Sequence, residues 1–473
     1  MSAPDAEGEV RRLAAEAAGD LATFAAIPSV SALAAHRGDV LKAAAWLAGR
    51  LSRAGLSGVE LLPTAGNPVV TAEAGPADAP TVLVYGHYDV QPADPLEAWE
   101  SPPFTPTVKD GRLVARGSSD DKGPILCALA GIEARLRLAP PTDVRLKFLF
   151  EGEEEIGSPS LPAFLGRERE RFRADLVLSA DGGMWRAAEP SLNVSSKGLC
   201  NVEVEVQSAS GDLHSGRHGG AVPNALHALA ELLAGLHDDQ GRVTVPGFYD
   251  QVTTPTPAQR AELAALPFAD DDYRLEVGVD ALVGEAGYTT LERMWLRPTL
   301  DAVGMWGGFT SEGVKTVIPA RAYAKLSCRL VPDQDPDAIQ RLVVTHLERQ
   351  RPFGARVQAR AIPGVARPYA LPKGYAPLSL AAAVLERALG GKTLLVRMGG
   401  TLPAAELFRR ELGAETMFFS FSVSDEHYHA PGEFFRLDRI EPGARAWFDL
   451  VGAIGPALRA APAAAAEAAS GGA

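Results

Sequence analysis

Only three cysteines occur in 473 residues, Cys127, Cys200 and Cys328, and none stands in a CxxC or CxH spacing. A disulfide framework and a cysteine-based zinc knot are therefore excluded, and a reducing cytoplasm is the expected setting. Positive charge is also short: 46 Lys and Arg against 59 Asp and Glu leave a net charge of -13. Such a chain repels nucleic acid and anionic membrane, so neither is an expected partner. No apolar run approaches the roughly 20 residues of a membrane-spanning helix, and the opening MSAPDAEGEVRRL lacks the basic and apolar regions of a secretory signal. The segment 461–473, rich in alanine and without a large apolar residue, is expected to be a flexible tail.

At this length, 46% hydrophobic residues are enough for more than one core, so two domains are expected. Helical patterns at residues 9–25 and 39–54 alternate with strand-like stretches. TVLVY (81–85), VRLKFLF (144–150) and DLVLS (175–179) read as central strands of a mostly parallel sheet flanked by helices. The pattern changes near Lys197. NVEVEV (201–206) alternates apolar and acidic residues, as a sheet with one wet face does, and is followed by helical patterns at 222–237 and 335–348 and strands at 321–330 and 356–361. The expected organisation is α/β: a catalytic domain over residues 1–196 and 376–460, with a smaller α+β domain, 197–375, inserted into it.

Acidic and imidazole residues gather just after the predicted strands, where α/β sheets carry their chemistry. In GHYDV, His87 and Asp89 lie two apart on an extended segment and share a side. ARGSSDDKGP sets Asp120 and Asp121 before a helix whose Ile125, Leu129, Ile132 and Leu136 follow helical spacing; capping is the simple reading, and bridging two cations the alternative. EGEEEIGS brings Glu151, Glu153, Glu154 and Glu155 together, a mutual repulsion that a cation relieves. SADGG adds Asp181, and SDEHYHAPGE adds His427 and His429, either of which can supply a late imidazole. Five such sets around one sheet edge point to a pair of divalent ions. Held about 3.5–4 Å apart, two ions bridge and acidify a water and polarise a carbonyl, while an unligated glutamate takes the proton.

In order along the chain, GHYDVQP, ARGSSDDKGP, EGEEEIGS, SADGG, DLHSGRHGG, KTVIPA, SCRLVP, MGGTLP and HAPGE resemble the carnosinase and cytosolic non-specific dipeptidase branch of metallopeptidase family twenty. The family also holds aminoacylases, acetylornithine deacetylase and succinyl-diaminopimelate desuccinylase. The resemblance implies a zinc-peptidase-like catalytic domain and an inserted ferredoxin-like lid and dimerisation domain. It implies cleavage of dipeptides or short peptides by two metal ions, zinc foremost with manganese or cobalt as substitutes; N-acyl-amino-acid deacylation is the alternative, and a catalytically silent metal-binding protein of the same fold a more distant one. His87 and Asp181 would hold one ion, Glu155 and His429 the other, and Asp120 both. Asp89 would orient His87 and Glu154 would be the general base. His214 would reach the partner's site across a homodimer to stabilise the oxyanion, and Arg329, Thr316, Gly399, Gly400 and Thr401 would bind substrate. Two positions depart from the family pattern: Gly432 replaces the usual Asn of the last motif, and Met398 stands where relatives often carry an acid. Glu433 keeps the spacing that selects His429 over His427.

Overall fold

The structure, a computed structural model, describes residues 3–460; the tail expected over 461–473 lies outside the described residues. It divides into two compact units. One comprises the residues up to Val194 with Leu371–Val396 and those from Ala404 on; the other comprises Ser195–Ala370 with Arg397–Pro403. In chain order, the strands of the two larger sheets are β1 (Ser57–Leu62), β2 (Val69–Ala74), β3 (Thr81–His87), β4 (Arg145–Glu151), β5 (Leu176–Ser179), β6 (Gly198–Gln207), β7 (Thr299–Gly307), β8 (Arg321–Leu330), β9 (Arg356–Ala366) and β10 (Glu415–Phe418).

The first unit is built on a six-stranded sheet of order β1-β2-β4-β3-β5-β10. β3 runs parallel to β4 and β5, and β10 parallel to β5, while β1 and β2 join antiparallel at one edge. Val82, Leu83, Val84 and Tyr85 are buried on both faces, as the unbroken apolar run requires. Lys147 sits in β4 because its ammonium donates to the carbonyls of Arg171 and Arg173. The helix Gly123–Leu138 is buried all round from Gly123 to Ala134, beyond the single stripe its spacing suggests, because the helices Ala3–Ala25 and Ile440–Ala460 both pack on it. Glu133 is tolerated inside by ion pairs with Arg50 at 2.8 Å and Arg137 at 2.5 Å.

The second unit carries an antiparallel sheet of order β7-β8-β6-β9. Burial alternates strictly along β6, whose Cys200, Val202, Val204 and Val206 join Ala322, Ala324, Leu326, Cys328 and Leu330 of β8 in one core. The helices Ala225–Ala234 and Pro336–Arg349 cover that face with Ala228, Leu229, Leu232, Val343 and Leu347. Three short helices, Pro257–Ala264, Asp270–Glu276 and Thr290–Leu296, lie in the proline-rich stretch before β7. Two of them start at capping boxes, Thr256 with Gln259 and Thr289 with Glu292. All three cysteines are buried and free, although Cys200 and Cys328 face each other across β6 and β8. Among the described residues no helix is long and apolar enough to cross a membrane.

Candidate metal centre

Three parallel strands of the first unit end in acidic or imidazole residues. His87 closes β3, the turn after β4 carries Glu154 and Glu155, and Asp181 follows β5 by two residues. Between β3 and β4 the chain makes the turn Gly117–Lys122, which brings in Asp120. Gly117 adopts φ +79°, and a Cβ there would meet Val90 Cγ1 at 2.3 Å, so the turn requires glycine. Of the adjacent acids, Asp121 is buried beneath the cluster and accepts from the backbone N–H of His87, while Asp120 faces the other side chains.

Two groups of metal-ligating types result: His87, Asp120 and Asp181, and Asp120, Glu155 and His429. Within each, one ligand atom per residue lies within 4.8 Å of the others. Asp120 belongs to both, with Oδ1 at 2.9 Å from His87 Nε2 and Oδ2 at 2.9 Å from His429 Nε2. Glu155 Oε2 is 3.1 Å from the same nitrogen of His429. Ligand atoms gathered this closely, with one carboxylate split between two groups, fit a pair of divalent cations. His427 joins neither group; its ring packs edge-on against Phe434 at 5.6 Å. Gly432 has φ +79°, a left-handed conformation that glycine and asparagine adopt more readily than other residues.

The electrostatics reflect crowded acids. Burial pushes Asp120 up, yet its hydrogen bonds with His429 and His87 outweigh this and hold its carboxyl below the usual range. The same contacts with Asp120 and Glu155 lift His429 to about 10. Burial raises Asp181 to about 6; His87 offsets part of this, and Asp120 adds repulsion. Burial likewise drives Glu154 far above an ordinary glutamate, with Asp181, Glu155 and Asp120 reinforcing it against the pull of His87.

Around this cluster, Asp89 does more than its spacing suggests. Its carboxylate oxygens accept from the backbone N–H of Glu154 and of Glu155, each at 3.2 Å. His87 Nδ1 lies 3.1 Å from the Asp89 carbonyl and 3.5 Å from its carboxylate. Glu433 is fully buried and accepts from Arg116 Nη1 at 2.6 Å and from the N–H groups of Gly117, Ser119 and Asp120 at 2.9–3.1 Å. It thereby ties the His429 segment to the Asp120 turn. Two of the four clustered glutamates turn elsewhere: Glu151 accepts from the Tyr85 and Ser158 hydroxyls, and Glu153 from the N–H groups of Asn67 and Ser160.

In the second unit, Arg329 is half-buried and donates from Nη1 to Thr401 Oγ1 at 2.8 Å, and Gly400 accepts from the N–H of Lys197. Thr316 is exposed, and its carbonyl accepts from the N–H of Ser215. His214 is exposed at the start of a short helical turn, where its Nδ1 accepts from the N–H of Gly216 at 3.1 Å.

The model of Peptidase family M20/M25/M40 matches residues 83–453, which include every residue of both candidate ligand groups. The chain belongs to this family. Among its relatives, the Cys-Gly metallodipeptidase dug1 of Schizosaccharomyces pombe is 31% identical over 389 residues, covering 80% of this chain and 81% of that protein. The human Beta-Ala-His dipeptidase is 30% identical over 372 residues, covering 77% and 73%. The solved structure of an M20 family metallo-carboxypeptidase from Sulfolobus solfataricus superposes with a TM-score of 0.80 at 30% identity, over 93% of this chain and 99% of that one. The chain is thus a metallopeptidase by family, with the α/β architecture its strand pattern predicts.

Proposed function

We propose that this chain hydrolyses the peptide bond of dipeptides and other short peptides at a centre of two divalent ions. The observation that carries the reading is Asp120, whose two oxygens reach His87 and His429 separately. His87 and Asp181 would hold one ion, Glu155 and His429 the other, and Asp120 would contribute to both. When bound, the ions supply Lewis-acid polarisation of the scissile carbonyl and acidify the attacking water. Glu154 takes the proton from that water and hands it to the leaving amine. It is suited to this because it belongs to neither ligand group, yet adjoins Glu155 and is fixed through its backbone by Asp89. Nitrogen and oxygen ligands suit zinc, with manganese or cobalt able to replace it.

Recognition falls to the second unit in this proposal. Arg329, steadied by Thr401, pairs with the substrate's terminal carboxylate, and Thr316, Gly399 and Gly400 add backbone and hydroxyl contacts. His214 of the partner subunit stabilises the oxyanion. Support for this is that its Nδ1 is an acceptor, which leaves Nε2 as the protonated, donating nitrogen. A homodimer is supported by β7, an edge strand that exposes Val303, Met305 and Trp306. The free cysteines accord with a cytoplasmic protein.

A substrate panel of dipeptides, tripeptides and N-acyl amino acids, assayed with zinc, manganese and cobalt, tests the reading. Fastest cleavage of dipeptides with a free amino group is expected. A preference for N-acyl amino acids would replace it with a deacylase. Release of single C-terminal residues from longer peptides would favour the carboxypeptidase reading that the Sulfolobus likeness suggests.

A further inference from the structure

We infer that Gln91 is a positioning residue for the second ion, acting through Glu155. Its side-chain amide donates to Glu155 Oε2 at 2.9 Å and also approaches the Glu155 backbone carbonyl at 3.1 Å. Both of those oxygens are acceptors, so only the NH2 end of the amide fits there, and its two N–H groups match the two acceptors. A single side chain thus spans Glu155 from backbone to carboxylate and fixes its rotamer. The carboxylate oxygen that Gln91 grips is the one 3.1 Å from His429 Nε2. Sequence spacing explains how Gln91 arrives. His87, Asp89 and Gln91 are each two residues apart on the extended segment that leaves β3, so alternate side chains face one side. The first contacts Asp120, the second holds the N–H groups of Glu154 and Glu155, and the third holds the carbonyl and carboxylate of Glu155.

Such a donor restrains a flexible ligand before the cation arrives and withdraws charge from it afterwards, and removal of an outer partner of this kind typically costs about 10–100-fold in metal affinity. The inference rests on the reading of Glu155 as a ligand, and the test separates the two. The chelator-stripped full chain is titrated with Zn²⁺ against a competing chromogenic chelator, and the melting temperature of each metal-free protein is recorded. The wild type is expected to take two ions and Glu155→Ala one. Gln91→Met, similar in length but without donors, should take two ions, one with unchanged affinity and the other about 10–100-fold weaker, with an unchanged metal-free melting temperature. In a His429→Ala background, Gln91→Met should leave the remaining ion's affinity unaltered, which a general loosening of the fold would not. Wild-type affinities for both ions in Gln91→Met, or equal weakening of both, would overturn the inference. Two ions retained in Glu155→Ala would instead overturn the ligand role on which it depends.

Discussion

At the residue scale, acids at the sheet edge divide by what they touch. Asp120, Glu155 and Asp181 join the ligand groups, Glu154 stands beside them, and Glu151 and Glu153 serve the turn itself. Glu154→Gln keeps the shape and removes the base, so kcat should fall by about 10²–10⁴-fold with metal content by elemental analysis unchanged; undiminished turnover in the fully loaded variant would refute the assignment. Glu151, which belongs to neither ligand group, offers a pH test. Burial lifts its carboxyl to about 7, and both hydroxyl donors fall on Oε1, leaving Oε2 to carry a proton. A folded pKa above the unfolded one favours the fold at low pH and loses that contribution as pH rises from about 4.5 through 7. Glu151→Gln mimics the protonated form. Measured with chelator present, its stability relative to wild type should therefore rise between pH 5 and 8, by up to about 3 kcal/mol; a difference independent of pH would contradict it. Residue types and strand-end positions made the ligand candidates legible, but not which of Asp120 and Asp121 faces the cluster, since both fit a strand-to-helix turn. Gln91 escaped because a neutral amide is not a ligand type, although the period of two from His87 was an available signal; Glu433 was marked by its spacing from His429, but its hydrogen bonds to Arg116 and the Asp120 turn were not.

At the element scale, the parallel strands and the alternation of β6 were readable because burial on two faces and on one face leave different sequence patterns. The antiparallel strands β1 and β2 were not; β1, at the sheet's edge, is largely exposed and its SGVELL has no strong period. Nor were the helices before β7, although Thr-x-x-Gln and Thr-x-x-Glu announced two of them; prolines nearby masked the signal. The loop that carries His429 shows how backbone conformation filters sequence. Because Gly432 sits at φ +79°, Gly432→Asn should be nearly neutral, whereas Gly432→Val should cost about 1–3 kcal/mol. Thermal unfolding of the two variants checks this, and equal melting temperatures would count against a conformational requirement.

At the scale of the whole molecule, the proposed site draws its general base from one chain and its oxyanion donor from another. His214→Ala and Glu154→Gln homodimers should each be nearly inactive, while mixing them should restore part of the activity, because one of the two sites in a hybrid then has both groups intact. No recovery on mixing would place His214 outside the partner's site. The domain insertion was suggested by the change of strand pattern near Lys197, yet the family itself was legible only through the ordered motifs, since composition alone describes any acidic globular enzyme. Peptide hydrolysis by a two-ion centre is tested by the rate of cleavage of a free dipeptide as Zn²⁺ is added stepwise to the chelator-stripped protein. Negligible cleavage without metal and a rise that levels off at two equivalents per chain are expected; cleavage that persists in the stripped protein, or that never appears at any zinc content, would overturn the two-ion reading.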